Sequence, residues 1–317
     1  MIDVQGMVGA AEHRIRAHVN ETPLELSPLL SELTAAAVYL KLENLQLTGS
    51  FKVRGAFNAL LAATKDERAR GVVAASSGNH GAGVAYAARS LGVQSLVFVP
   101  EGTSPLKIRN IERLGGEVRT FGADGGVTEV HARAYAAERG MMYVSPYNDP
   151  IVIAGQGTIG AEISRQLPTV DVVVASIGGG GLIAGIAGYL KGVHPSVHAL
   201  GVSARNSKAM AESVRAGRII ETQHLPTLSD GTAGGLEPGA ITLELCRALV
   251  DEFVDATEDE IRSALRLFVE GEHMLCEGAA ALAIAGLLRA KEHVRGKNVV
   301  VVVCGANISA ERLKEAL

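Results

Sequence analysis

Several residue types are scarce in this chain of 317 residues, and each shortage excludes a class of protein. Tryptophan is absent, and the three cysteines, Cys246, Cys276 and Cys304, lie far apart without a C-x-x-C pair. This spacing argues against both a disulfide framework and a zinc knuckle. The longest apolar stretch, residues 278–288, is too short to span a bilayer. Because the N-terminal segment is also too polar for a signal peptide, we expect a cytoplasmic protein that does not bind a membrane.

The chain also lacks a surplus of positive charge. Its formal net charge is -4, with acidic and basic residues scattered along the whole length. Such a pattern offers no cationic stripe to a phosphate backbone, so nucleic acid is not an expected partner. With 47% hydrophobic residues the chain can bury a large core. We therefore expect one large or two medium domains and a small-molecule ligand.

Strand-like runs alternate with helical patterns along most of the sequence. This alternation predicts an α/β fold with mostly parallel sheets covered by helices on both sides. Ligands of such sheets bind at the carboxyl ends of the strands. The predicted strands are residues 38–42, 72–75, 95–99, 117–120, 170–175, 197–202 and 299–303. The predicted helices are residues 81–91, 105–114, 125–139, 150–166, 182–193 and 257–271.

Two glycine-containing turns each follow a predicted strand and precede a helix. Residues 76–81 (SSGNHG) follow the strand-like segment 71–75, and residues 178–181 (GGGG) follow 171–177. Each turn presents backbone N–H groups at a helix N-terminus, where an anion is favoured. Together with Lys52 in the segment TGSFKVRGAF, they predict a ligand with two anionic ends and a carbonyl between them. An amino acid joined to pyridoxal phosphate has this form.

The four successive glycines admit a second interpretation. Gly179, Gly181 and Ala184 satisfy the dinucleotide pattern G-x-G-x-x-A. That pattern also requires an acidic residue about 20 positions further on, and residues 197–205 contain none. Arg205 could instead meet a 2′-phosphate, so an NADP-dependent oxidoreductase stays open at this point.

Lys52 is the candidate reactive residue. Phe51 and the apolar run 56–63 imply burial on at least one side, and desolvation lowers the pKa of a lysine, as imine chemistry requires. The only metal-like pattern, Glu270 and His273 on one helix face, lacks a second pair, so we predict no metal site.

The chain is similar to a known family over nearly its whole length. The segments KLENLQLTGSFKVRGAF, SSGNHGAGVAYAA, IAGQGTIGAEI, SIGGGGLIAG, SDGTAGG, CEGAAALA and VVVCGAN resemble, in order and spacing, those of the fold-type II pyridoxal-phosphate enzymes. They look most like the serine/threonine dehydratase and serine racemase branch. The resemblance implies a tryptophan synthase β-like fold, in which residues 1–61 and 148–317 form a large cofactor domain and residues 69–145 a small inserted domain. It also implies a homodimer.

The resemblance assigns roles to particular residues. It makes Lys52 the Schiff-base lysine, with Phe51 beside the cofactor ring and Asn79 at its 3-hydroxyl. Ser77 is expected to be a second acid/base on the opposite face. The phosphate would be bound by Gly178, Gly179, Gly180, Gly181 and Leu182; the other expected cofactor contacts are Gly231, Glu277 and Cys304. The substrate carboxylate would be bound by Ser76, Ser77, Asn79 and His80.

Two departures from the family pattern limit this transfer. Cys304 stands where the commonest members place a serine or threonine opposite the pyridine nitrogen, and a thiol is a weaker hydrogen-bonding group. The nitrogen still has no carboxylate partner, which favours elimination. Ser203 and Ala209 replace the acidic residues of the members that bind a divalent cation, which again predicts no metal.

We therefore expect a pyridoxal-phosphate-dependent dehydratase that converts a β-hydroxy amino acid such as L-threonine or L-serine to a 2-oxo acid and ammonia. The same reaction on 3-phenylserine or 3-hydroxyaspartate, a serine racemase and a β-replacement synthase are alternatives within the fold. A non-catalytic pyridoxal-phosphate-binding protein is the alternative from another class.

Overall fold

The protein is described by a computed structural model covering residues 2–317, in which helices alternate with the strands of two separate sheets. The strands are β1 (Leu24–Leu26), β2 (Ala37–Lys41), β3 (Val72–Ala75), β4 (Ser95–Val99), β5 (Glu117–Thr120), β6 (Met142–Tyr143), β7 (Val172–Ser176), β8 (His198–Ala204), β9 (Glu252–Ala256) and β10 (Asn298–Val302). The helices are α1 (Val4–Ile15), α2 (Pro28–Thr34), α3 (Lys52–Ala62), α4 (Lys65–Ala69), α5 (Asn79–Ser90), α6 (Pro105–Arg113), α7 (Gly125–Glu138), α8 (Pro150–Gln166), α9 (Gly181–Val193), α10 (Ala209–Ala216), α11 (Thr242–Leu249), α12 (Glu258–Glu272), α13 (Gly278–Arg289), α14 (Lys291–Val294) and α15 (Ala310–Ala316). Two short 3₁₀ helices span Glu43–Leu45 and Asp230–Thr232.

The larger sheet has six strands in the order β1-β2-β10-β7-β8-β9, and the smaller has four in the order β5-β4-β3-β6. Every pairing is parallel except that of β1 with β2. The six-stranded sheet takes its strands from both ends of the chain, whereas the four strands of the smaller sheet lie within residues 72–143. The mixed α/β fold with mostly parallel sheets is the predicted one; the domain boundaries stay a prediction.

The central strands are buried on both faces, as their composition predicts. All five residues of β7 (VVVAS) and of β4 (SLVFV) are buried. Such continuous β-branched runs suit a parallel sheet covered on both sides by helices. The apolar helix α13 packs against β7, β8 and β9, and α8 packs against α1, α3 and α9. No helix among residues 2–317 is long and apolar enough to cross a membrane.

The predicted strands and helices end within two residues of the observed ones. The edge strand β9 (EFVDA) was not predicted, because its acidic residues interrupt the apolar pattern and four of its five residues are only half-buried. The N-cap of α5 is Gly78, and no side chain caps the helix. The Oγ of Ser76 instead accepts the N–H of Gly78 at 3.1 Å, within the turn itself.

Candidate active site

Residues 144–147, which connect β6 to α8, bring the three predicted site elements together. The carbonyl oxygen of Val144 lies 2.8 Å from Nε2 of His80 in the first turn. The carbonyl oxygen of Pro146 accepts a 2.7 Å hydrogen bond from Nζ of Lys52. The ring of Tyr147 covers Gly179 in the second turn. Lys52 and both turns therefore line one cleft, where β3 and β7 end.

Lys52 is the first residue of α3 and is half-buried. Its Nζ lies 5.2 Å from the centre of the Phe51 ring. Burial lowers the pKa of Lys52 to about 8, although the nearby carboxyl groups of Glu277 and Glu129 oppose this shift. Near neutral pH an appreciable fraction of this amine is uncharged, which an attack on a carbonyl requires.

The glycine turn that ends at α9 leaves no room for side chains. A Cβ on Gly179 would lie 2.3 Å from Cγ of Tyr147, and one on Gly178 would lie 2.9 Å from Cα of Thr232. Gly180 has φ of +85°, a conformation that favours glycine. The N–H groups of Gly181 and Leu182 belong to the first helical turn and have no intrahelical acceptor. The turn is thus built from backbone donors that can approach an anion closely.

The turn at the start of α5 contributes polar groups of two kinds. Ser77 and Asn79 are half-buried, so both side chains are accessible from the cleft. His80 is only 2% exposed, and its imidazole points at Val144. Burial, helped by the charge of Lys52, lowers the pKa of His80 to about 3, so the ring is neutral. A carbonyl can only accept, so Nε2 carries the proton and donates to it; a contact of His80 with a carboxylate in the cleft would have to come from its backbone N–H.

Glu277 organises the opposite wall of the cleft. Nδ2 of Asn79 donates to both carboxylate oxygens of Glu277, at 2.8 and 3.0 Å. Oδ1 of Asn79 accepts from Nδ2 of Asn307 at 2.7 Å. Burial raises the pKa of Glu277 to about 7, so this carboxyl group changes charge near neutral pH. The network fixes the side chain of Asn79.

The thiol of Cys304 lies beside this network. Its Sγ is 4.0 Å from Oε1 of Glu277 and 3.7 Å from Oγ of Ser176. Burial raises the pKa of Cys304 well above its ordinary value, so the group stays a neutral thiol. Gly231 lies close to the same carboxylate: a Cβ built on it would be 3.7 Å from Oε1 of Glu277. Asn79, Gly231, Glu277 and Cys304, four of the predicted cofactor contacts, therefore lie together.

Comparison with known proteins identifies the family. Residues 15–305 match the family described as pyridoxal-phosphate dependent enzymes. The chain belongs to this family. The predicted family and the predicted cofactor are thereby confirmed, and the nicotinamide alternative has no support.

Individual relatives narrow the similarity further. The chain is 42% identical over 303 residues to an L-threonine ammonia-lyase of Thermotoga maritima, which covers 96% of this chain and 75% of that protein. Among solved structures, the processed form of threonine deaminase isoform 2 from Solanum lycopersicum superposes with a TM-score of 0.91 at 33% identity, covering 98% of this chain and 92% of that one. Maize serine racemase superposes with a TM-score of 0.92 at 29% identity, covering 98% and 96%.

The cleft fits pyridoxal phosphate in its donor set. The backbone N–H groups of the turn at residues 178–182 suit the phosphate, and the Lys52 amine suits the aldehyde. The amide of Asn79 and the thiol of Cys304 offer neutral polar contacts to the ring substituents. Ser50, which is bridged to Gly305 beside Cys304, has a buried hydroxyl oxygen without a partner.

Three contributors to the site were not predicted: Ser176, Asn307 and the segment 144–147. Asn307 is the last residue of the quoted VVVCGAN motif, so its proximity to Cys304 was available as a signal. Pro146 and Tyr147 gave no such signal, because no sequence pattern marks a backbone carbonyl that binds a lysine or a ring that packs against a glycine turn.

Proposed function

We propose that the protein is a pyridoxal-phosphate-dependent dehydratase that converts a β-hydroxy amino acid, L-threonine or L-serine by default, to a 2-oxo acid and ammonia. The observation that carries the proposal is the Lys52 amine, with its pKa lowered to about 8, in one cleft with the two N–H-lined turns. The sequence identity of 42% to an L-threonine ammonia-lyase supports the choice of reaction and substrate.

Pyridoxal phosphate, when bound, withdraws electrons from the Cα of an amino acid joined to it. Lys52 would hold the cofactor and, once displaced by the amine of the substrate, would take the Cα proton on Nζ. The carbonyl of Pro146 orients this amine, since it already accepts a hydrogen bond from it. The β-hydroxyl leaves with a proton, and hydrolysis of the product then gives the 2-oxo acid and ammonia.

The other residues would bind and orient. Gly178, Gly179, Gly180, Gly181 and Leu182 would bind the phosphate through backbone N–H groups. The turn formed by Ser76, Ser77, Asn79 and His80 would bind the substrate carboxylate. Phe51, Gly231, Glu277 and Cys304 would line the cofactor ring, and Asn79 would contact its hydroxyl group.

Ser77 keeps the racemase alternative testable. A racemase needs an acid/base on each face of the cofactor, and Ser77 is the residue proposed for the second face. The similarity to maize serine racemase is at 29% identity, lower than that to the threonine ammonia-lyase. We therefore place elimination first and racemisation second. A homodimer and a cytoplasmic location complete the proposal as predictions.

The proposal is tested with a panel of amino acids: L-threonine, L-serine, 3-phenylserine and 3-hydroxyaspartate. We expect release of 2-oxo acid from threonine or serine, and loss of both this activity and the imine absorbance in Lys52→Ala. Lys65→Ala, on an exposed helix, is the matched control and should leave both unchanged.

Each alternative function predicts a distinct result in this panel or in one additional assay. Chiral analysis of the remaining amino acid detects a racemase, and cysteine formed from O-acetylserine and sulfide detects a β-replacement synthase. Cofactor absorbance without release of 2-oxo acid from any substrate would indicate a non-catalytic binding protein. Full activity in Lys52→Ala would overturn the assignment.

A further inference from the structure

One guanidinium is held between two carboxylates beside the proposed reaction centre. Nη2 of Arg133 lies 3.0 Å from Oε1 of Glu129 and 2.5 Å from Oε2 of Glu237. Glu129 and Arg133 are one turn apart on α7, whereas Glu237 lies on the irregular segment that precedes α11. The exposed fractions of the Arg133, Glu129 and Glu237 side chains are 36%, 21% and 18%. We call these three residues the acidic clamp.

The acidic clamp is attached directly to the segment that holds Lys52. Nη2 of Arg133 lies 3.4 Å from Oγ of Ser145, and the N–H of Glu237 donates to Oη of Tyr147 at 2.8 Å. The residue between these two contacts is Pro146, whose carbonyl accepts the hydrogen bond from Lys52. The clamp therefore borders the cleft on the side of the reactive amine.

The charges of the clamp do not cancel. Two carboxylates face one guanidinium, whose charge is already shared between them, and the ring of Tyr143 packs against that guanidinium at 4.3 Å. Oη of Tyr143 donates a hydrogen bond to Glu129. This donor is neutral, so it adds no positive charge to the clamp. Oε1 of Glu237 is buried without a donor, and Nε of Arg133 is buried without an acceptor.

The surplus negative charge of the acidic clamp discriminates between neutral and anionic groups. A neutral hydroxyl or amide carries no net charge for the clamp to repel. A carboxylate only accepts, and it would be repelled by the surplus negative charge in a partly desolvated cleft.

We propose that Glu129, Arg133 and Glu237 determine substrate specificity by excluding amino acids with an anionic β-substituent and admitting neutral ones. This inference rests on the proposed function and deepens it, because it selects threonine or serine over 3-hydroxyaspartate. Glu129 and Glu237 act on substrate charge and are not required for the proton transfer at Lys52.

The test compares two amino acids of nearly the same shape that carry no β-hydroxyl and so cannot be dehydrated. L-asparagine and L-aspartate are titrated into the cofactor-loaded enzyme, and each Kd is read from the change in cofactor absorbance when the amino acid displaces Lys52. We expect weaker binding of aspartate in the wild type. Glu129→Gln and Glu237→Gln should each lower the ratio of the aspartate Kd to the asparagine Kd about tenfold. This is the effect expected from one charge about 10 Å away at an effective dielectric constant of about 20.

Glu117→Gln is the matched control. It makes the same change of charge on the exposed edge strand β5, where Glu117 pairs with Arg119. It should leave the ratio unchanged. An equal change in this control would mean that net charge alone controls binding, and would overturn the proposal.

Two further results would contradict the proposal. A clamp variant that weakens binding of both ligands alike would show a structural role only. Failure of asparagine to bind to the wild type would contradict the expected admission of neutral groups. The proposed function fails separately, if no 2-oxo acid forms from threonine or serine while the two Kd values remain measurable.

Discussion

Lys52 and Pro146, 94 positions apart in the sequence, are joined by a 2.7 Å hydrogen bond from Nζ to the carbonyl oxygen. The next residue, Tyr147, covers Gly179 with its ring. A single connection between β6 and α8 therefore sets the distance between the reactive amine and the glycine turn. In our proposal this is the distance between the cofactor aldehyde and its phosphate.

Loading of the cofactor should depend on pH through Lys52. The pKa of this amine is lowered to about 8, mainly by burial, so its uncharged form increases as the pH rises from 6.5 to 8.5. Since only the uncharged amine attacks an aldehyde, the rate at which imine absorbance appears after mixing with pyridoxal phosphate should rise about tenfold over the lower half of that range and then level off. The measurement is stopped-flow absorbance at constant ionic strength.

Nα-acetyl-lysine, in which only the side-chain amine can react, is mixed with pyridoxal phosphate at the same pH values as the control for solution chemistry. Its amine has an ordinary pKa near 10.4, so its rate should still be rising at pH 8.5. A protein rate that rises without levelling in the same way would show that Lys52 has no lowered pKa.

Glu277 should make stability depend on pH with the opposite sign to an ordinary ion-paired carboxylate. Its pKa is raised from 4.5 to about 7 by burial, so between these values the folded state keeps a proton that the unfolded chain has lost. Unfolding then becomes easier as the pH rises from about 4.5 to 7, with a total effect on the order of 3 kcal/mol. Glu277→Gln removes this penalty, so without cofactor the variant should gain stability relative to the wild type over that range.

Urea unfolding at pH 5 and pH 8 measures the effect, with Glu270→Gln on the exposed face of α12 as the control. The difference in unfolding free energy between Glu277→Gln and the wild type should be larger at pH 8. An equal difference at both values would mean that Glu277 is ionised throughout, and that Asn79 stabilises its charge better than burial opposes it.

The sequence was sufficient for the central strands and the helices between them, because these strands are continuous β-branched runs and the helices begin at recognisable residues. Pro150 and Pro105, for example, each open a helix within a residue of its predicted start. The two turns were placed correctly for the same reason, since each follows such a strand. Edge strand β9 was not predicted, because its half-buried residues include acidic side chains that interrupt the apolar pattern. The short edge strands β1 and β6 were not predicted either.

Contacts between distant segments could not be predicted. The sequence suggested that Lys52 is partly buried, but nothing in it indicated that the carbonyl of Pro146 binds its amine. His80 was expected to face the substrate carboxylate, and the structure turns its imidazole towards Val144. The partner of a buried polar group is decided by tertiary packing, which local sequence patterns do not report.

Arg54, two residues after Lys52, should be essential for stability. Its guanidinium binds both oxygens of Glu43, at 2.8 Å each, and both oxygens of Glu162, at 2.7 and 2.9 Å. All three side chains have no exposed surface, and Lys41 completes the group by binding Glu162 at 2.6 Å. Arg54→Leu leaves two buried carboxylates with one buried cation and should cost about 3–5 kcal/mol in unfolding free energy.

The control for Arg54 is Arg119→Leu, which breaks an exposed pair with Glu117 and should change stability little. Replacing Arg54 and Glu43 together by leucine and methionine should recover part of the loss, because Glu162 and Lys41 then remain as one compensated pair. A single variant as stable as the wild type would show that water enters the group and solvates the two carboxylates.

Gly179 should be necessary for cofactor affinity, because any side chain at this position would collide with the ring of Tyr147. A Cβ at this position would lie 2.3 to 2.6 Å from three ring atoms of Tyr147, so Gly179→Ala must displace the whole ring. Overpacking of this kind costs about 1–3 kcal/mol, and the displaced turn should bind pyridoxal phosphate roughly tenfold to a hundredfold more weakly. Tyr147→Ala opens the same space, so the double variant should bind the cofactor more tightly than Gly179→Ala alone. Gly9→Ala, where nothing lies within 4 Å of the new Cβ, is the control. Cofactor titrations followed by absorbance give the affinity of each variant. A double variant that binds the cofactor no more tightly than Gly179→Ala would mean that the methyl group obstructs the phosphate directly and that the tyrosine ring is only its neighbour.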